Sequence, residues 1–96
     1  MSLLKKPSHP GEVLKELYLT PLDVSALALA KKLLVTRTRI ERLAAGETAL
    51  SADTAMRLAR YFNTTPEYWL NLQRAFDLSR IRAIIDVSEI TPLAAA

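Results

Sequence analysis

The stretch TRTRIERLAAG, Thr36 to Gly46, decides the fold of this 96-residue chain. It contains three arginines, while the apolar Ile40 and Leu43 stand three positions apart, which is the spacing of one helix face. Thr36 can cap the start of a helix, and Gly46 can end it in the left-handed backbone that glycine adopts at little cost. The stretch therefore predicts a short basic helix over 37–45 that buries one side and exposes the other.

A second short helix, ALALAKKL, is predicted just before the first, with Ser25 as its cap. Its apolar residues share one face, and Lys31 and Lys32 lie away from that face. Only about three residues around Leu34 connect the two helices, so they must cross steeply, and the pair forms a helix-turn-helix over about 25–45. Leu34 stands where such turns often use glycine, and a left-handed leucine there would cost about 1 kcal/mol.

Three further helices are predicted, one before this pair and two after it. Their polar caps are Ser8 or His9, Ser51 and Thr65. The first of these helices should end at Pro21, where the backbone N–H is missing. A stripe formed by Tyr68, Trp69 and Leu72 predicts core positions, although part of that stripe can also cross a two-fold interface. The chain is thus expected to be entirely helical and to form one domain over 1–96.

Composition excludes several classes of protein. The chain has no cysteine, so it has neither a disulfide nor a thiolate metal site. No apolar run approaches the roughly 20 residues of a membrane span, and no secretory signal is present, so we expect no membrane partner and a cytoplasmic location. His9 has no second catalytic group at a recognisable spacing and is interpreted as a helix cap. We expect no enzyme activity, no metal and no cofactor.

The positive charge of the chain is local. The net charge is only +3, but five basic residues and one acidic residue lie between Lys31 and Arg42. With Ile40 and Leu43 turned inward, the outward side chains of the basic helix include Thr38 and Arg42. A helix presented in this way fits the major groove of DNA, where arginine can donate two hydrogen bonds to guanine and a threonine methyl group can touch thymine.

Candidate contacts to DNA follow from this orientation. The expected base-contacting residues are Arg37, Thr38 and Arg42. Phosphates are expected at the amino ends of the two helices, where free N–H groups and hydroxyls face an anion, and beside exposed cations. The expected phosphate-contacting residues are Ser25, Lys31, Lys32, Thr36 and Arg39. A solvated helix face that binds nothing is the competing interpretation.

Two longer stretches carry a resemblance to known proteins. The run ALAKKLLVTRTRIERLAAG resembles the helix-turn-helix of Cro- and Xre-type repressors. HPGEVLKELYLTPL, followed by SADTAMRLARYFNTTPEYWLNLQRAFDL, resembles the HigA (VapI) family of bacterial antitoxins, and the match covers about residues 8–78. The resemblance implies an all-α, five-helix, lambda repressor-like domain with a short C-terminal extension over about 79–96.

The same resemblance implies a function. Such a protein would be a homodimer that binds an inverted repeat in operator DNA, represses its own operon and neutralises a HigB-like mRNA-cleaving toxin. A repressor without a toxin and a protein-interaction module without DNA binding are the alternatives. Within the extension, the segment Ile81 to Ile90 is open to three interpretations: a toxin contact, a dimer contact, or packing on the back of the domain.

Overall fold

A computed structural model of the chain describes residues 6–94, and within them it contains five helices and no strand. The first helix, α1, runs without interruption through an α-helical part Pro10–Leu14, a π-helical part Lys15–Leu19 and a final turn Thr20–Leu22. The other helices are α2 (Ala26–Leu33), α3 (Arg37–Ala44), α4 (Ala52–Phe62) and α5 (Pro66–Ile84). The all-α, five-helix prediction is confirmed. No helix in 6–94 combines the length and the apolar composition that crossing a bilayer requires.

All five helices begin with a side-chain cap at a predicted position. His9 Nδ1 accepts a hydrogen bond from the Gly11 N–H at 2.9 Å, so His9 rather than Ser8 caps α1. The hydroxyls that cap the other four helices accept from the N–H three residues later at 3.1 to 3.2 Å; they belong to Ser25, Thr36, Ser51 and Thr65. Each cap of this kind stabilises its helix by about 1 kcal/mol.

The prediction that α1 ends at Pro21 is wrong, because the helix continues to Leu22. In a regular α-helix the proline ring would collide with the carbonyl of Leu17, four residues earlier. The wider π-helical turn avoids this collision, and within it the Thr20 N–H donates to the carbonyl of Lys15, five residues back. Asp23, with a left-handed φ of 53°, ends the helix two residues after the proline.

The core is apolar and is centred on Trp69, which is fully buried. Its indole Nε1 donates to the Thr64 hydroxyl at 2.8 Å, so the polar atom of the ring is satisfied. Tyr18 packs on this indole with a ring-centroid distance of 5.2 Å. Burial, together with the neighbouring Tyr68 hydroxyl, raises the pKa of Tyr18 to about 12. Trp69 is therefore a core residue, as predicted. Tyr68 and Leu72 of the same stripe are half-buried, so a two-fold contact by that part of the stripe stays a prediction.

The beginning of α1 contacts two other helices. Gly11 is buried, and a Cβ added there would lie only 1.6 Å from the carbonyl oxygen of Leu43, near the end of α3. Glycine is required at this position because any side chain would push the two backbones apart. The His9 ring packs edge-on against Phe76 of α5, with the ring centroids 4.9 Å apart. The segment His9-Pro10-Gly11 therefore holds the start of α1 against both α3 and α5.

The C-terminal segment does not pack on the domain. Helix α5 continues to Ile84, and residues 85–94 are non-helical and all exposed. The interpretation in which Ile81 to Ile90 packs on the back of the domain is therefore wrong. A dimer contact and a toxin contact remain open for this segment.

We predict that Gly11→Ala lowers the free energy of unfolding by about 1 to 3 kcal/mol, because the new Cβ forces α1 away from α3. Urea denaturation measures this change. Glu12→Ala is the matched control, since Glu12 is the exposed next residue of the same helix and its loss should alter stability little. Equal stability of the two variants would mean that the close contact with Leu43 does not constrain the fold.

Candidate nucleic-acid interface

Small and apolar residues pack between α2 and α3, the two helices of the helix-turn-helix. Ala30 is only 1% exposed at the crossing, and Leu33, Ile40 and Leu43 are buried beside it. In the turn, Leu34 has a left-handed φ of 60° and the Val35 N–H donates to the Ala30 carbonyl at 3.0 Å. The predicted helix-turn-helix is confirmed, and its turn places Leu34 in the left-handed region, at a cost of about 1 kcal/mol. The Leu34 side chain is 82% exposed, so burial does not offset the strain of its backbone.

The outer face of α3 is open to solvent along its length. Arg37, Thr38 and Arg42, the three expected base-contacting residues, are all exposed, and none of the described chain covers them. Arg37 Nε donates to Glu41 Oε2 at 3.0 Å, one turn further along the helix. Within residues 6–94, Thr38 and Arg42 have no side-chain hydrogen bond or ion pair to another residue. This face can therefore donate hydrogen bonds to an outside acceptor.

The expected phosphate-contacting residues are exposed, but they do not form one cluster. Ser25 and Thr36 stand at the amino ends of α2 and α3, and their oxygens accept cap hydrogen bonds while their hydroxyl hydrogens remain able to donate. Lys31 and Lys32 lie on the last turn of α2, about 10 Å along the helix axis from Ser25. Lys32 lines a groove between α2 and α4.

Arg39 is held by α4. Its Nη1 donates to Asp53 Oδ2 at 2.6 Å, and Arg57 Nε donates to the same oxygen at 3.0 Å. The Arg57 guanidinium first, and then that of Arg39, holds the pKa of the Asp53 carboxyl below its usual range. The carboxylate is therefore ionised at neutral pH, with two cations beside it.

Packing, rather than this ion pair, holds α3 in position. The side chains of Arg39 and Asp53 are 45% and 54% exposed, and such exposed pairs contribute little to stability. Burial of Ile40 and Leu43 on the inner face contributes about 1.5 to 3 kcal/mol for each residue. A change at Asp53 should therefore alter the charge around α3 without moving the helix.

Sequence reasoning missed Asp53 and Arg57. Their four-residue spacing on α4 is a signal for a local ion pair. Nothing local indicated that Arg57 Nη1 would also donate to the carbonyl of Leu33 at 2.8 Å, at the start of the helix-turn-helix turn. The pairing of Asp53 with Arg39 was equally hidden, because it joins different helices.

A basic helix that follows a short turn, packs on the preceding helix and exposes its outer face is characteristic of DNA-binding helix-turn-helix proteins. Residues 14–69 match the model of the helix-turn-helix family HTH_3, and the chain belongs to this family. It is a family of DNA-binding regulators and antitoxins, not of enzymes.

Relatives within the family carry names that agree with the sequence resemblance. Virulence-associated protein I of Dichelobacter nodosus is 50% identical over 70 residues, which cover 73% of this chain and 65% of that protein. This chain therefore spans just under two thirds of the length of that relative. The resemblance to the HigA (VapI) family is confirmed.

Solved structures agree with the fold over almost the whole chain. The Pseudomonas aeruginosa antitoxin HigA with the higBA promoter superimposes with a TM-score of 0.84 at 36% identity, covering 93% of this chain and 100% of that one. The antitoxin GraA in complex with its operator superimposes with a TM-score of 0.88 at 36% identity, covering 99% of both chains. The chain thus has the fold of a DNA-binding helix-turn-helix antitoxin.

Proposed function

We propose that this protein is an antitoxin that binds operator DNA as a homodimer, represses its own operon and neutralises a HigB-like mRNA-cleaving toxin. The observation that carries the proposal is the uncovered outer face of α3, where Thr38 and Arg42 have no partner within residues 6–94. Solved relatives with this fold were captured with operator or promoter DNA, which supports the DNA-binding part.

In this proposal α3 enters the major groove and Arg37, Thr38 and Arg42 contact base edges. Arg42 is ready to donate two hydrogen bonds to guanine, because no acid within 6–94 engages it. Arg37 must first leave Glu41, and this costs little because both side chains are about half exposed. The Thr38 methyl group would contact a thymine methyl group.

Phosphate contacts would then fix the position of α3 without adding sequence preference. The hydroxyls of Ser25 and Thr36 would donate to phosphate oxygens beside the positive amino ends of α2 and α3. The remaining phosphate contacts would come from cations beside the DNA major groove, namely Lys31, Lys32 and Arg39.

The homodimer is supported by the apolar surface at the C-terminal end of the chain. Seven large apolar side chains between 78 and 93 are at least 40% exposed; they are Leu78, Ile81, Ile84, Ile85, Val87, Ile90 and Leu93. So many exposed large apolar side chains in one segment favour an interface. A second copy of the chain would cover these side chains, and binding to successive major grooves would require its two α3 helices to lie about 34 Å apart.

Two other functions remain as alternatives. A repressor without a toxin would use the same α3 surface and the same dimer. An interaction module would instead bind an acidic protein through the basic face of α3. The salt dependence of DNA affinity distinguishes DNA binding from the interaction module. Binding to a toxin distinguishes an antitoxin from a repressor without a toxin.

We predict that Arg42→Ala reduces discrimination between the operator and its single-base variants, by about 1 to 3 kcal/mol at one base pair. Fluorescence anisotropy with operator duplexes at several salt concentrations measures this. Lys32→Ala is the matched control: it should weaken all duplexes alike and reduce the slope of log K against log salt by about 1. A wild-type affinity that does not change with salt would favour the interaction module.

For the dimer, Ile84→Asp is expected to weaken self-association at least about tenfold, because a charge would enter an apolar interface. Sedimentation equilibrium gives the dissociation constants. Leu17→Asp serves as the control, since Leu17 is also exposed, at 63%, but lies on α1. If only the Leu17 variant dissociates, the interface lies on α1 and not on the C-terminal segment.

Co-expression tests the toxin. The gene beside this one is expected to encode a small basic toxin whose growth arrest is relieved by this protein, and a complex of the two should copurify. If neither relief nor a complex is observed while the promoter is still bound, the protein is a repressor without a toxin.

A further inference from the structure

Asp53, at the start of α4, holds an arginine of the helix that would enter DNA. Its Oδ2 accepts a hydrogen bond from Arg39 Nη1 at 2.6 Å, so one carboxylate bridges α4 and α3. The side chains of Asp53 and Arg39 are about half exposed, and a polyanion can therefore reach them. An arginine proposed to bind a phosphate is thus already bound to an oxyanion of its own chain.

Of the two arginines bound to Asp53, Arg39 is the one that can leave the carboxylate. Arg57 has three acceptors: its Nε donates to Asp53 Oδ2 at 3.0 Å, and its Nη1 donates to the carbonyls of Leu33 at 2.8 Å and Leu34 at 3.4 Å. Arg39 has only the Asp53 carboxylate as a side-chain partner within residues 6–94. If Arg39 turns away, Asp53 keeps the cation of Arg57 beside it and is not left uncompensated.

Carboxylate and phosphate oxygens attract a guanidinium through the same charge-assisted hydrogen bonds. We propose that Asp53 competes with the DNA backbone for Arg39, and so lowers the affinity of this protein for DNA of any sequence. The inference rests on the proposed DNA-binding function. Asp53 acts here on phosphate binding alone, so it sets the strength and the salt dependence of binding, while the choice of bases belongs to the outer face of α3.

The size of the effect follows from counterion release. One additional phosphate contact steepens the slope of log K against log salt by about 0.9. In the wild-type complex Arg39 contacts phosphate only when it has left Asp53, so its full release adds at most one phosphate contact. With the gain taken as zero at about 1 M salt, the released chain should bind DNA up to about eightfold more tightly at about 0.1 M salt and up to about fourfold more tightly at about 0.2 M. Operator and unrelated DNA should gain by the same factor.

The experiment compares wild type with Asp53→Asn, which keeps the shape of the side chain and removes its charge. Fluorescence anisotropy is measured over a salt series with the operator duplex and with a short duplex of unrelated sequence. We expect both affinities to rise severalfold, up to about eightfold, at about 0.1 M salt, with a steeper slope. Urea denaturation of both proteins verifies that stability is little changed, because packing holds α3.

Arg39→Ala provides the decisive control. In that background Asp53→Asn should raise the affinity much less, because Arg57, the other partner of Asp53, stays bound to the Leu33 carbonyl. An equal gain with and without Arg39 would mean that Asp53 simply repels DNA, and this would overturn the proposal. An unchanged or shallower slope for Asp53→Asn, with a wild type that binds DNA normally, would also overturn it. A wild type that binds neither duplex would instead refute the DNA-binding function, and the inference with it.

Discussion

The burial of Ile40 and Leu43 is the constraint on which the rest of the arrangement depends. Both side chains are at most 2% exposed, so they fix the rotation of α3 about its own axis. Because successive residues turn by about 100°, that rotation also sets the direction of Thr38 and Arg42 on the outer face. The close contact between Gly11 and the Leu43 carbonyl then fixes the carboxyl end of the same helix.

The cations around α3 fall into two groups that differ in their surroundings. Arg37 and Arg39 each have an acid within hydrogen-bonding distance, whereas Arg42 has none within residues 6–94. A side chain that is already paired must exchange one anion for another before it can bind DNA, and its net gain is smaller. In the proposed complex, Arg42 would therefore contribute the most per contact.

The C-terminal half of α5 differs from the rest of the molecule because its apolar side chains face solvent. As far as Phe76, which contacts the His9 ring, the helix packs on the domain. Buried Gln73 accepts from the Leu50 N–H at 2.7 Å, which ties α5 to the loop before α4. Beyond that point apolar residues such as Ile84 have no cover from the described chain. In the proposed dimer a second copy would cover this exposed half of α5.

The sequence by itself determined the helix starts, the short turn and the inward face of α3, because caps, connection lengths and apolar spacing act over a few residues. Only the tertiary structure decided that α1 continues past Pro21, where a π-helical turn removes the collision of the proline ring with the preceding turn. It also decided the pairing of Arg39 with Asp53, which are 14 residues apart. Such contacts join different helices, so they depend on how the helices pack, and local spacing carries no signal of them.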